Sequence, residues 1–495
     1  MAKDEPRFVL TLKLKTEPWQ EDIVDKRIEA GRKLYNALVN KSLKVLRELE
    51  KTKQYRSLMK ELKYDKSEHD KEIWIKINDL REKAGLSKYG LQGMMTPLRY
   101  HFKNLVNTHI AIAIANRVWD AYVRYFYKDG EEIHFKKFGS VESLEGKNNK
   151  NAIMYKLDKN MCVWGGLNFP VVVDEKNFYE MEALAMEIAY CRIIRKYIRG
   201  KRKYYLQIVF KGLRPAKRRK SDGKFTQKLG KGDVGIDIGT STVAYVSENE
   251  IVLKELADKA QGYERERLLL RRKLDRSRRA TNPNNYNEDG TCKKGAKHWV
   301  RSNHYMKILF KLKDIYRKQK VLRRYQHELL TNHLLTLGDT FYVEDMDFKA
   351  LAKKAKEAKK NKKGKNLSRK RFGKSIANRA PAMFLEILDR KLHYFGKELM
   401  KINTREAKAS QYNHVTGEYK KKGRNERWND IEGNKVQRDL YSAFLIMNVN
   451  KDLSSFNLEK CNERYNNFLV LHNKEIERLI FIKESGKKLL SSMGI

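Results

Sequence analysis

The sequence contains few of the residues that interrupt or crosslink a chain. Its 495 residues include only seven prolines and four cysteines. The cysteines lie far apart and form no CxxC pair, so the sequence predicts neither a zinc ribbon nor a thioredoxin-type redox site. So few cysteines in so long a chain are not typical of a disulfide framework, and we expect reduced thiols.

Long apolar runs are also missing. We find no stretch of about 18 apolar residues, the length that a membrane-spanning helix needs. The first residues, MAKDEPRFVL, are charged and contain no signal-peptide core, and no lipidation motif is recognisable. We therefore expect no membrane partner.

Acidic residues are scarce relative to basic ones. The chain has 107 Lys and Arg against 62 Asp and Glu, which gives a formal net charge of +45. Hydrophobic residues make up 41% of the chain, enough to build real cores. Because such self-repulsion does nothing for folding, we expect a polyanion to neutralise it, and nucleic acid is the polyanion that fits a chain with no membrane segment.

The first part of the chain predicts a small barrel interrupted by helices. Arg7–Leu14 alternates apolar and polar residues like a strand, and 16–127 is helix-compatible and poor in proline. Four later segments are β-like: Ile133–Phe138, Val171–Val173, Tyr190–Ile194 and Tyr204–Phe210. We predict a β-barrel over 1–15 and 128–215 that carries a helical insertion at 16–127, followed by a basic linker at 216–231.

The second part predicts an α/β domain over 232–405 and 435–450. Its expected strands are Val234–Ile238, Thr242–Val246, Ile251–Leu253, Phe341–Val343 and Glu398–Ile402, the first three as an antiparallel meander. Helices are expected at 255–279, 302–336, 381–395 and from about 436. A polar segment at 406–434 and a helical tail at 451–495 complete the division.

Three acids stand where a carboxylate is costly. Asp237 lies inside the apolar strand Val-Gly-Ile-Asp-Ile-Gly, Glu344 ends the strand Phe-Tyr-Val-Glu, and Asp439 begins an apolar helix. The RNase H-like fold brings two strand ends and a late helix together in this way. Two divalent cations held there could clamp a scissile phosphate, and ligands that are all oxygen favour Mg²⁺ or Mn²⁺. We predict Asp237, Glu344 and Asp439 as catalytic, metal-binding residues.

A basic helix follows the first three strands. It contains seven arginines that we predict to contact phosphates, although ion pairs with Glu264, Glu266 and Asp275 would be the simpler interpretation. They are Arg265, Arg267, Arg271, Arg272, Arg276, Arg278 and Arg279.

The motifs GIDIG, VEDM and QRDLYSA around the three acids resemble the RuvC motifs of TnpB, a transposon-encoded nuclease, and of type V CRISPR effectors. The similarity extends loosely to RKLYNALV at 32–39 and HFKKF at 134–138, and so spans most of the chain. It implies an RNase H-like RuvC domain and an N-terminal wedge barrel with an inserted recognition bundle. It further implies a guide RNA, RNA-guided cleavage of double-stranded DNA, recognition of a short flanking motif, and a cytoplasmic, nucleoid-associated protein of a bacterial host.

The chain departs from this family at one point. The family commonly has a four-cysteine zinc ribbon between its second and third motifs, whereas 406–434 contains no cysteine. We predict a degenerate target-loading segment without structural zinc, and we interpret His414 as a solvated loop residue.

Other functions share parts of this pattern. Asp-Ile-Gly-Thr-Ser-Thr at 237–242 resembles the phosphate loop of actin-like ATPases and sugar kinases, but no second phosphate loop follows Glu344. Residues 345–438 contain only His393 and His414 as histidines, too few for an HNH nuclease. A cleavage-inactive guided DNA-binding protein and a strand-transfer transposase stay open, as do the oligomeric state and the choice between a transposon-borne and a CRISPR-associated enzyme.

Overall fold

The computed structural model describes residues 6–64, 67–127, 132–219, 221–295, 297–355, 357–358, 361, 364, 369, 371–421, 423 and 425–495. The chain divides into two compact units, Met1–Lys224 and Phe225–Ile495. Among the described residues, none of the helices combines the length and apolar content needed to cross a bilayer. The finer division predicted above stays a prediction, and its boundary at residue 128 lies outside the described residues.

The described residues of the first unit form seven strands and six helices. In chain order they are β1 Arg7–Leu14, α1 Pro18–Lys51, α2 Lys53–Glu61, α3 Glu68–Lys83, α4 Lys88–Tyr100, α5 Thr108–Phe126, β2 Ser143–Glu145, β3 Ile153–Lys156, β4 Met161–Trp164, β5 Leu167–Val172, α6 Phe178–Leu184, β6 Ile188–Ile198 and β7 Lys201–Lys211.

One sheet organises this unit. Its order is β2-β6-β7-β1-β5-β4-β3, with every pairing antiparallel. Strand β1 is the central strand of the sheet. Its alternate residues, from Phe8 to Leu14, are buried in the core that the sheet shares with α1–α5. Helices α1–α5 all fall between β1 and β2, so the helical stretch is an insertion into the sheet. Closure of the sheet into a barrel stays a prediction.

One predicted strand of the first unit is wrong. Ile133–Phe138 has no regular secondary structure, although the segments predicted around 171, 190 and 204 lie in β5, β6 and β7. The apolar alternation has another cause. Ile133 is buried in the core, while Lys136 is hydrogen-bonded through its backbone to Asn36 of α1. A loop with one side chain buried in the core and one residue hydrogen-bonded to a helix therefore has the apolar alternation of a strand.

The second unit also mixes strands and helices. It contains β8 Asp233–Ile238, β9 Thr242–Val246, β10 Ile251–Glu255, α7 Asp258–Gln261, α8 Glu264–Thr281, α9 Asn303–Leu334, β11 Thr340–Glu344, α10 Phe348–Ala352, α11 Gly373–Arg379, α12 Pro381–His393, β12 Leu399–Ile402, β13 Trp428–Ile431, β14 Asn434–Gln437, α13 Arg438–Met447 and α14 Leu458–Glu484.

A five-stranded mixed sheet forms the centre of this unit, in the order β10-β9-β8-β11-β12. Strands β8, β9 and β10 form the predicted antiparallel meander, whereas β8, β11 and β12 are parallel to one another. The two faces differ in what covers them. Val234, Ile236 and Ile238 of β8 pack against a core that includes α12 and the end of α9. The opposite face packs against α13 and α14. The mixed α/β class is therefore confirmed.

Candidate active site

Two of the predicted acids lie on adjacent parallel strands. In the β8–β11 pairing, Ile236 is opposite Val343. Asp237 and Glu344 are the next residues of these two strands, so both side chains point to the same face of the sheet. Neighbouring strands of a sheet lie about 4.8 Å apart. This is the face covered by α13, because Ala244, the β9 partner of Asp237, packs with that helix.

A glycine brings α13 close to the strand. A Cβ on Gly235 would lie 2.1 Å from the Ala443 carbonyl oxygen and 2.4 Å from the Met447 amide nitrogen, so only glycine fits there. Asp439, Ala443 and Met447 follow an i, i+4, i+8 spacing and share one helix face. Because Gly235 contacts Ala443 and Met447, this face of α13 lies against the sheet. Asp439 is one turn before Ala443 on the same face, on the side of Asp237.

The other two acids act electrostatically on Asp237. The pKa of the Asp237 carboxyl is raised well above its usual range by burial, by the charge of Asp439 and by the charge of Glu344. Burial raises the pKa of Glu344 to about 7. Each effect disfavours the ionised form, so these acids resist carrying their charges together unless a cation joins them.

Two arginines lie beside the third acid. Arg427 Nη1 is 3.8 Å and Arg438 Nε is 3.4 Å from Asp439 Oδ1. Both distances are to the same oxygen, Oδ1. The side chain of Gln437 accepts a hydrogen bond from the Leu440 amide at 2.9 Å and thereby caps α13 just before Asp439. The cap and the arginines hold the start of this helix at the site.

The donors at this site suit a hard divalent cation. Three carboxylates supply only oxygen, and the repulsion that raises the pKa of Asp237 would be relieved by a bound Mg²⁺ or Mn²⁺. Among the described residues, no group of three or more His, Cys, Asp or Glu side chains is placed where it could hold a metal ion.

The seven predicted arginines of α8 fall into two groups. Arg267 pairs with Glu264 at 2.6 Å, and Arg278 and Arg279 pair with Asp275 at 2.6 and 2.8 Å. The other four are exposed and have no ion pair among the described residues: Arg265, Arg271, Arg272 and Arg276. Leu270 and Leu274 anchor the helix on α9. Arg265, Arg272 and Arg276 share the face opposite these two leucines.

The interpretation of His414 as a solvated residue is wrong. Its side chain is buried, and its Nδ1 is 2.6 Å from the Tyr441 hydroxyl. Its ring packs against Tyr441, Phe444 and Tyr465. Burial lowers the pKa of His414 to about 4, so the ring is neutral at physiological pH. The polar sequence around His414 concealed this, because its aromatic partners lie on α13 and α14.

Sequence reasoning missed three residues of this site. Gly235 was visible only as part of a motif, and its role depends on the approach of α13. Arg438 adjoins Asp439 in the sequence, which could have indicated it. Arg427 gave no signal, since the β13–β14 hairpin, paired from Trp428↔Gln437, is what brings it to Asp439.

No family model matches the chain, and no curated protein matches it in sequence. Several solved structures show some similarity, among them two cryo-EM structures. The first, "Cryo-EM structure of the Cas12f1-sgRNA-target DNA complex", is 11% identical, with 90% of this chain and 99% of that chain covered and a TM-score of 0.39. The second, "Cryo-EM structure of CRISPR-Cas12f Ternary Complex", is 11% identical, with 89% and 99% covered and a TM-score of 0.25. Both scores are below 0.5, so neither adds weight to the assignment of the site.

Proposed function

We propose that the chain is an RNA-guided DNA endonuclease with one RNase H-like RuvC active site made of Asp237, Glu344 and Asp439. The observation that supports this most is that Asp237 and Glu344 lie on adjacent parallel strands, on the sheet face covered by α13, the helix that begins with Asp439 in its first turn. If the five strands are numbered 1 to 5 from β8 to β12, their order in the sheet is 3-2-1-4-5. This order, with an antiparallel meander and two further parallel strands, suits an RNase H-like domain.

The three carboxylates would hold Mg²⁺ or Mn²⁺ in this proposal. Bound there, a pair of such ions would supply charge neutralisation of the scissile phosphate and activation of the attacking water. Asp237 and Glu344 must release their protons before they can act as ligands, and burial makes that release harder in the metal-free protein. Arg427 and Arg438 orient Asp439 through ion pairs to its Oδ1.

The partners in this proposal are a guide RNA and a double-stranded DNA target with a short flanking motif. The net charge of +45 and the exposed unpaired arginines of α8 support phosphate binding along a guide–target duplex, which is read by shape and backbone. We expect no structural zinc. The buried His414 and its aromatic neighbours give the 406–434 segment a packed anchor without a metal.

Cleavage of a matched DNA target by the protein with its guide RNA tests this proposal. Glu344→Gln removes a ligand without changing its size, so we expect cleavage to fall to background while target binding persists. Asp345→Asn is the matched control, because this neighbouring carboxylate is exposed. The proposal fails if the Glu344 variant cleaves like the wild type. Joined DNA ends instead of simple breaks would indicate a strand-transfer enzyme.

A further inference from the structure

A loop of the first unit is fixed to helix α1 by reciprocal hydrogen bonds. The side chain of Asn36 donates to the Lys136 carbonyl at 2.9 Å and accepts from the Lys136 amide at 2.7 Å. Arg32 Nη1 donates to the same carbonyl at 2.8 Å. Such pairing satisfies the backbone of an exposed segment and holds it in one conformation.

Both sides of this point are also anchored. Ile133 is buried in the core of the unit. After Lys137, a tight turn forms in which the Ser140 amide and hydroxyl both donate to the Lys137 carbonyl, at 3.0 and 2.6 Å. Gly139 allows this turn with a φ of +66°. The segment 133–140 is therefore a fixed platform.

The platform presents two aromatic rings to solvent. Phe135 is 50% and Phe138 is 67% exposed, and neither belongs to the described apolar core of the unit. Exposed Lys136 and Lys137 separate them. Rings interleaved with cations do not make the continuous apolar patch that a hydrophobic helix would need. They suit a ligand with alternating flat faces and negative charges.

A cleft of about 300 Å³ adjoins the platform. It is lined by Lys136 and Ser140 of the loop, by Arg117 and Arg124 of α5, and by the acids Asp120 and Glu142. Its volume is at the lower end for small-ligand pockets. Arg117 is paired with Glu145 at 2.8 Å, whereas Lys136 and Arg124 can contact a phosphate there.

We propose that this loop and cleft bind an unpaired nucleotide, with its base stacked on Phe135 or Phe138 and its phosphate beside the lysines. The inference deepens the proposed function, because it assigns to the first unit a site for a base that has left its duplex. An exposed aromatic ring is a sequence-tolerant stacking surface, and adjacent basic groups retain the backbone.

The test uses the full-length protein in EDTA, so that cleavage cannot occur. The probes are short DNA and RNA oligonucleotides with 2-aminopurine either in an unpaired overhang or inside a fully paired duplex. We expect quenching of the unpaired probe only, because 2-aminopurine loses fluorescence when it stacks. Loss of one ring should weaken binding of the unpaired probe roughly tenfold. The DNA and RNA arms show which strand the site takes.

Variants separate stacking from charge. Phe135→Ala with Phe138→Ala should abolish the quenching, whereas tyrosine at both positions should retain it. Phe481→Ala, which removes a ring 71% exposed on α14, should behave like the wild type. Asn36→Ala frees the loop and should weaken quenching while both rings remain.

Two results would overturn the inference. One is undiminished quenching in the double alanine variant, and the other is equal quenching of paired and unpaired probes. Because the readout needs no cleavage, an inactive RuvC site would leave it unchanged, and the two proposals can fail separately.

Discussion

At the scale of single residues, the surroundings of Asp237 and Glu344 disfavour the ionised form of both carboxyl groups. Burial and the charges of Asp439 and Glu344 raise the pKa of Asp237, and burial raises that of Glu344 to about 7. A carboxyl whose folded-state pKa exceeds its unfolded value, about 4, binds its proton more tightly when folded. Its contribution to stability is therefore complete below pH 4 and is lost as the pH rises to about 7.

This predicts a metal-dependent stability. In EDTA above pH 7, Asp237→Asn should unfold at a higher temperature than the wild type, because it removes a carboxylate whose ionisation the folded state opposes. Saturating Mg²⁺ should raise the melting temperature of the wild type and have little effect on the variant. Thermal unfolding from pH 5 to 8, with and without Mg²⁺, checks this. A wild type indifferent to Mg²⁺ at every pH would contradict metal binding by these acids.

His414 should affect stability with the opposite sign. Its folded-state pKa of about 4 lies below the unfolded value of about 6.5, so the stability of the neutral ring is present above pH 6.5 and lost as the pH falls towards 4. The wild type should lose about 2–3 kcal/mol from this residue alone across that range. His414→Phe should remove that part of the pH dependence.

The control for His414 is His298→Phe, at an exposed position. It should leave the acid branch of the unfolding curve unchanged. If His414→Phe and the wild type lose stability in parallel below pH 6.5, the buried neutral histidine is not the cause.

At the scale of elements, the contact of β8 with α13 sets the position of Asp439. Gly235→Ala places a methyl group within 2.1 Å of the Ala443 carbonyl oxygen, so the helix must move away. We expect a loss of about 1–3 kcal/mol in stability and a strong loss of cleavage, because Asp439 moves with α13. Gly93→Ala on α4 is the control, since its Cβ meets nothing within 4 Å. It should fold at least as well as the wild type.

Part of this fold and of the candidate site could be predicted from the sequence. The strands of the second unit were predictable because their apolar runs are short, rich in β-branched residues and separated by turns. Asp237 and Glu344 could be identified because a carboxylate within such a run is unusual. The loop at 133–138 was predicted as a strand and His414 as solvated, because in both cases the deciding partners are distant in sequence: Asn36 for the loop, and Tyr441 and Tyr465 for the histidine.

At the scale of the whole molecule, the excess of basic residues predicts a steep dependence of nucleic-acid binding on salt. For duplex ligands, the logarithm of the affinity should fall with the logarithm of salt concentration by about 0.9 for each phosphate neutralised. The structure divides the arginines of α8 into those paired within the helix and those free to meet phosphates, and this division can be measured.

One variant has alanine at the four positions that have no ion pair among the described residues, Arg265, Arg271, Arg272 and Arg276. It should reduce the slope of the logarithm of affinity against the logarithm of salt concentration by up to roughly 3–4, the contribution of four phosphate contacts. Alanine at Arg267, Arg278 and Arg279 removes charges already paired with Glu264 and Asp275, and should change the slope less. Binding to a guide–target duplex across a salt series compares the two variants. Equal slopes in both would mean that the exposed face of α8 does not lie on the nucleic acid, and that the excess charge acts elsewhere on the protein.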